Sequence, residues 1–412
     1  MNNTVEEEAK KKPNLKIHIP LYVLEVLVLI FAIFVTIIIG KITRAEKVNL
    51  DLSKIHFNGE SLQDVVDDVN GQGEDLADNA DASEVEETVK ILDNNDYIQD
   101  DTIEIAEDEN VDRDAISKEL YEKYNGYFNI AFFGVDSREG SLGAGTRSDS
   151  MMVCSIDMNT HEVKLISVYR DTYLNLGNGS YNKCNAAYAY GGPEQALSML
   201  NMNLDIYVNQ YVTVGFEGLI DAIDALGGIP VNVQENEVFH LNNYQMAMAE
   251  QLGCEYVPVI YPGLQILNGL QATAYCRIRY TQGDDFRRAE RQRYVVSAML
   301  ERAGKSSVSS LTDAVSKVLP NISTSLSVGD IVNMLSVAGD YSVTVSDGFP
   351  FEGKRNGGTI GSKGSCVVPY DLESNVNYLH KKLYGEENYV LSPDIKKYSD
   401  RIKADTNEFL AY

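Results

Sequence analysis

The chain is predicted to fold as an α/β domain, a central mixed β-sheet sandwiched by helices, preceded by one membrane-spanning helix and an acidic spacer. Three observations carry this prediction. From Tyr124 onward, short apolar runs alternate with amphipathic helical stretches. Residues 17–40 (IHIPLYVLEVLVLIFAIFVTIIIG) are apolar apart from His18 and Glu25, long enough to cross a bilayer core. The net charge of −26 is unevenly spread: Glu60–Asp114 holds 21 acidic residues against Lys90 and Arg113, leaving the remainder near −7.

In chain order, residues 1–16 form a short tail. Lys10, Lys11, Lys12 and Lys16 precede the apolar run, while Lys41, Arg44 and Lys47 follow it. That excess puts the tail in the cytoplasm and the bulk of the chain outside the cell. No small-residue cleavage site follows the run, so it reads as an uncleaved anchor. Residues 41–123 read as an extended, self-repelling spacer. Asp68, Asn70, Gln72 and Gly73 mimic the opening of a calcium loop, but Asn79 stands where the bidentate Glu is required. The domain spans 124–404, with a tail at 405–412. NIAFFGV (129–135) has the composition of a buried strand. SDSMMVCSID (148–157) and VKLISVYRD (163–171) flank a turn and read as a hairpin. Gly191-Gly192-Pro193 opens a helix. A strand at 209–216 leads to a helix at 217–226, stopped by Gly227-Gly228, and then to a strand at 230–233. Asn268 is placed to cap the next helix. Leu372, Val376, Leu379 and Leu383 form a helical stripe near the end. Five cysteines without CxxC spacing oppose a zinc site and suggest mostly buried thiols.

Polar clusters sit at the ends of these elements. Asp136 closes the first strand and Asp149 opens the second. Two carboxylates at one sheet edge suit Mg²⁺, which takes oxygen ligands and keeps waters for a phosphate substrate. Spacing alone favours the simpler account, that both cap turns. Tyr169-Arg170-Asp171 lies at another strand end. Arg277, Arg279, Arg287, Arg288, Arg291 and Arg293 fall within seventeen residues containing no Lys. Guanidinium forks grip phosphate oxygens bidentately, so this run points to an anion site, with polyphosphate a better fit than nucleic acid. A pI near 4.5 opposes nucleic-acid contact.

At NIAFFGVDSR, GTRSDSMM, SVYRDTYL, KCNAAYAYGG, VTVGFEGLIDAIDALGGI, NGLQATAYCRIRY and DDFRRAERQR, the sequence resembles the LytR-CpsA-Psr family of Gram-positive cell-envelope phosphotransferases. The resemblance is strongest over residues 126–300 and includes the order of tail, membrane helix and extracellular α/β domain. It implies transfer of a glycopolymer, teichoic-acid-like or capsular, from an undecaprenyl-pyrophosphate carrier to peptidoglycan. The acceptor implied is the C6 hydroxyl of N-acetylmuramic acid. Matched residue by residue, Asp136 and Asp149 look like the family's Mg²⁺ ligands. Arg147, Arg170, Arg277, Arg279 and Arg288 look like its pyrophosphate-binding arginines. Asp285 and Gln292 match further polar pocket positions, and Arg138 and Lys183 match motif positions.

This inventory suits direct transfer, since breaking a pyrophosphate requires charge neutralisation and alignment more than a protein nucleophile. Asp171 and Asp285 are both open as general base. Leu219, Ile220, Ile223 and Leu226 could line a groove for the polyprenyl tail, although such a stripe is more often core. A lipid-pyrophosphate hydrolase would use the same residues, whereas against a non-catalytic envelope polymer or lipid binder the intact Asp136, Asp149 and full arginine set favour an enzyme. A transcriptional regulator fits least, because export and acidity both oppose DNA contact.

Overall fold

The computed structural model describes residues 50–51, 54–59, 123–136, 142–279 and 284–410, all within one compact unit, Glu46–Tyr412. The expected membrane helix and Arg138 lie outside these residues, as does most of the acidic segment. Among the described residues, no helix is long and apolar enough to cross a membrane.

The sheet grows from a local nucleus. Strand β1 (Tyr127–Val135) pairs antiparallel with β2 (Ser148–Asp157), which forms the expected hairpin with β3 (Glu162–Val168). Strand β10 (Ser342–Phe349) adds parallel to β3, while β6 (Tyr211–Val214) adds parallel to β1 and carries β9 (Ile322–Thr324) antiparallel at its edge. The result is a mixed six-stranded sheet in the order β10-β3-β2-β1-β6-β9. Period-2 alternation explains why β1 is apolar almost throughout. Ala131, Phe133 and Val135 face a core completed by helices α1 (Asn185–Leu204), α8 (Leu372–Tyr384) and α9 (Pro393–Leu410). Ile130 and its neighbours Phe128 and Phe132 face the opposite layer, which includes α5 (Asp284–Gly304) and α7 (Val328–Ser336).

A satellite core holds α2 (Phe216–Ala225), α3 (Glu235–Leu252) and α4 (Gly269–Arg277) around the β7–β8 ribbon (Ile229–Val233 and Gly263–Leu267). Ile223 of the proposed lipid stripe is fully buried in this core and Leu219 packs against it, so those two positions are packing residues. Asn268 caps α4 as expected, accepting from the Gln271 N–H while the Gln271 side chain accepts from the Asn268 N–H.

Four expectations need correction. The helix expected to open at Gly191-Gly192-Pro193 begins earlier, at Asn185. The Gly pair is a kink, with Gly192 at φ 60° where a side chain would be strained, and a second helical piece follows through Pro193. The residues at 169–171 fall beyond the end of β3 rather than within it. The presumed tail at 405 continues α9, where Asp405 accepts from the Tyr173 hydroxyl and Thr406 is buried.

The fourth correction concerns the spacer. Ile55 and Phe57 are buried in the main core, the His56 N–H donates to Ser198, and the Gly59 N–H donates to Asp394. The chain also re-enters on the α8–α9 side, where the Tyr124 hydroxyl meets buried His380 and the Lys123 ammonium lies 4.2 Å from the Tyr389 ring centre. Residues flanking the acidic stretch on both sides are therefore bound to the same domain. Two apolar side chains with backbone hydrogen bonds suffice to dock a segment that composition marks as solvated.

Candidate active site

The antiparallel pairing of Val135 with Ser148 brings Asp136 and Asp149 to adjacent strand ends. Arg170 and Asp171 follow β3, the other neighbour of β2. Arg277 and Arg279 straddle Ile278, which is fully buried in the satellite core, so extended backbone turns both guanidiniums away from that core. Asp285, Arg288 and Gln292 are spaced along one face of α5.

These residues converge. Arg170 Nη1 lies 2.5 Å from Asp149, and its Nε is 3.4 Å from Asp171 and 3.7 Å from Asp285. Arg279 reaches Asp149 at 3.8 Å and Asp285 at 3.7 Å, and Arg288 reaches Asp285 at 3.5 Å. Arg288 also donates to the Asp149 carbonyl. Lys183, at the end of the short β4–β5 ribbon (Tyr173–Asn175 and Tyr181–Lys183), sits 3.1 Å from Asp171. Arg277 lies 3.7 Å from Asp136 and covers the Phe216 ring. Arg147 is exposed and makes no ion pair among the described residues.

Asp149, Arg170, Asp171, Asp285, Arg288 and Gln292 line one cleft. Three buried atoms there lack hydrogen-bond partners: Arg170 Nε, Arg288 Nε and Asp285 Oδ1. Their ion-pair distances are real attractions, but a buried donor or acceptor without a directed bond is costly, and three in one cleft mark a place prepared for a polar ligand. Burial alone would lower the affinity of Arg170 for its proton, but Asp149 and Asp171 outweigh it and raise the affinity. Burial would push Asp171 up, yet Arg170 and Lys183 outweigh it and hold the carboxyl below the usual range. Arg288 is lowered by burial, which Asp285 only partly offsets.

The arginine run divides into three groups. Arg277, Arg279 and Arg288 serve the cleft. Arg291 is buried in a pair with Glu237 at 2.9 Å and donates to the Ile278 carbonyl. Arg293 is only 6% accessible, and its Nε donates to Ser346, so it belongs to the interior rather than to an anion site. Arg287 is the solvated member, paired with Glu290. Sequence reasoning also missed two aromatic walls, Tyr169 and Phe286, whose rings meet edge to face at 4.6 Å. Phe286 lay inside a quoted motif and could have been read as a wall. Val367, which also lines the cleft, gave no local signal.

A magnesium ion fits the donor chemistry of the Asp136–Asp149 pair. Among the described residues, no three acidic, His or Cys side chains gather as a metal cage. Two hard carboxylates would thus leave most of an octahedral shell to water and phosphate oxygens, the usual arrangement for Mg²⁺ beside a phosphate substrate.

The model of the LytR_cpsA_psr family matches residues 89–349, and the chain belongs to that family. It is 31% identical over 217 residues to the Enterococcus faecalis polyisoprenyl-teichoic acid–peptidoglycan teichoic acid transferase TagU, a match covering 52% of this chain and 65% of that protein. The like-named protein of Oceanobacillus iheyensis is 30% identical over 281 residues, covering 66% and 81% respectively. Among solved structures, a Streptococcus agalactiae protein superposes with TM-score 0.54 at 28% identity, covering 66% of this chain and 93% of that one.

Proposed function

We propose that this chain is a membrane-anchored extracellular phosphotransferase that attaches a glycopolymer from a polyprenyl-pyrophosphate carrier to peptidoglycan. The observation that carries the reading is the cleft itself, where arginines from three separate chain segments meet and three buried polar atoms, two of them arginine Nε atoms, lack directed bonds. The names of the TagU relatives support the same substrate class.

In this reading Arg170, Arg277, Arg279 and Arg288 hold the pyrophosphate oxygens and neutralise charge as it shifts toward the leaving phosphate, and Arg147 and Arg138 add further positive charge. Gln292 hydrogen-bonds the donor, and Lys183 holds Asp171. The acceptor hydroxyl oxygen attacks the phosphorus that carries the polymer. The bond from that phosphorus to the bridging oxygen breaks, and polyprenyl phosphate leaves. Asp285 is taken as the general base because its Oδ1 lines the cleft without a directed bond among the described residues, whereas Asp171 is engaged by Arg170 and Lys183. Mg²⁺ on Asp136 and Asp149 would supply further charge neutralisation at the phosphates.

The test is incubation of the full chain with purified carrier-linked donor, peptidoglycan and Mg²⁺. Phosphodiester-linked polymer on the glycan is the expected product. Polymer released to water instead would identify a hydrolase, and an intact donor bound without cleavage would identify a binding protein.

A further inference from the structure

The cleft has a wall from outside the residues that match the family model. Beyond residue 349 the chain forms a hairpin of β11 (Arg355–Thr359) and β12 (Ser365–Pro369). Its second strand docks on the site: the Val367 N–H donates to the Asp171 carbonyl at 2.8 Å, and Val367 lines the cleft. Its first residue, Arg355, places its guanidinium 4.1 Å from the centre of the Phe286 ring and 4.9 Å from that of Tyr169. The same guanidinium is anchored by an Nη1 bond of 2.8 Å to the Pro350 carbonyl.

Tyr169 immediately precedes Arg170, and Phe286 immediately follows Asp285. The edge-to-face contact of these two rings joins the two sides of the cleft, and Arg355 lies against both. A planar cation over aromatic faces is attracted by the ring quadrupoles, more strongly where water is partly excluded. Close packing behind Tyr169 limits its retreat, since it fits against Gly348, where a Cβ would come within 2.0 Å of the phenol oxygen.

We infer that Arg355 is a positioning residue, clasping Phe286 against Tyr169 and thereby setting Asp285 relative to Arg170. The consequence for catalysis rests on the function proposed above, whereas the clasp itself does not. The cation–π contacts hold the first turn of α5, where Asp285 lies, while three of the four proposed pyrophosphate arginines, Arg170, Arg277 and Arg279, lie outside that helix. Loss of Arg355 should therefore depress kcat and leave KM nearly unchanged.

The experiment compares the full-length wild type, Arg355→Ala, Arg355→Lys, Phe286→Leu and the Arg355→Ala/Phe286→Leu pair. Donor turnover is expected to show a roughly tenfold lower kcat in Arg355→Ala, partial recovery in Arg355→Lys, and no further loss in the pair beyond Phe286→Leu alone. Amide exchange of the peptide spanning 284–292 is measured on the same samples without substrate, and should rise in Arg355→Ala relative to the rest of α5. Unchanged exchange, or additive losses in the pair, would overturn the inference. If the wild type itself turns over no donor, the proposed function fails, and exchange alone then decides whether the clasp exists. Should Arg355→Ala not fold, the Lys variant carries the same comparisons with smaller changes.

Discussion

Replacing Arg170 with Lys keeps a positive charge and removes the planar fork. In the structure that fork spans Asp149 at 2.5 Å, Asp171 at 3.4 Å and Asp285 at 3.7 Å, with only 21% of its side chain exposed. A flexible ammonium can occupy one of these positions but cannot direct donors along two faces together. Under the proposed function, at least one charge-assisted bond to the pyrophosphate is then lost in the transition state, worth about 2 kcal/mol, or roughly thirtyfold in rate. Folding should be little affected, because the carboxylates retain a cation among them. Arg170→Ala, by contrast, would leave Asp149 and Asp285 crowded with less compensation and should lower stability as well as rate. The assay is turnover of a short-chain polyprenyl-pyrophosphate saccharide by variants of matched thermal stability. Arg287→Lys serves as the control, since that residue is solvated and paired only with Glu290, and its activity should stay within about twofold of wild type. If Arg170→Lys matches the control, the cluster supplies only diffuse potential and the clamp is wrong.

Arg293→Lys should cost about 1–3 kcal/mol of stability in urea denaturation, because the buried guanidinium bonds Ser346; an unshifted midpoint would refute its structural role. Asp136→Asn and Asp149→Asn should each raise the Mg²⁺ concentration for half-maximal activity at least tenfold, by order of magnitude from lost metal ligands. Unchanged Mg²⁺ titrations would return both to turn caps. Glu386 is held below the ordinary glutamate value of 4.5 by its hydrogen bond with His380, against burial, with Lys123 assisting. Its folded pKa is the lower one, so its contribution is present above about pH 4.5 and is lost as pH falls through the folded value. The stability gap between wild type and Glu386→Gln should therefore close on acidification, and a gap constant from pH 6 to 3 would contradict this. Gly348→Ala should destabilise the fold and displace Tyr169, detectable as lower thermal stability together with a change in the tyrosine near-ultraviolet signal.

What could be read from the sequence was local. The β2–β3 hairpin, α2 and the Asn268 cap each announce themselves within about ten residues, through alternation, helical spacing or a capping side chain. Strand β10 was not legible, because it alternates polar and half-buried positions and its partner lies far back in the chain, with Ser342 facing Glu162. Docking of Ile55 and Phe57 likewise depends on α1, more than a hundred residues away. The same limit applies to the arginine run. Six arginines in one run share a residue type, but a helix turns about 100° per residue and distributes them among the cleft, the interior and solvent. The cleft partners of Asp149 come from Arg170 and Arg279, a pairing that only the sheet and α4 bring about.

The charges around the cleft bear on selectivity as well as grip. Asp136, Asp149, Asp171 and Asp285 face Arg170, Arg277, Arg279, Arg288 and Lys183. Before any metal is considered, the arginines are already engaged by carboxylates, so an incoming anion must compete with four negative groups held a few ångströms away. A carrier pyrophosphate with two charged phosphoryl groups meets the excess of positive charge and can satisfy Arg170 Nε and Arg288 Nε together. The phosphodiester formed on the acceptor carries a single charge and competes less well with the same carboxylates. The acidic side chains would thus weaken product binding more than donor binding. Under the proposed reading, Asp171→Asn, which removes a carboxylate without touching the proposed base or metal pair, should tighten product inhibition relative to donor KM. Inhibition by a soluble phosphodiester-linked muropeptide measures this directly, and an unchanged ratio would mean that the carboxylates serve only to hold the arginines in place.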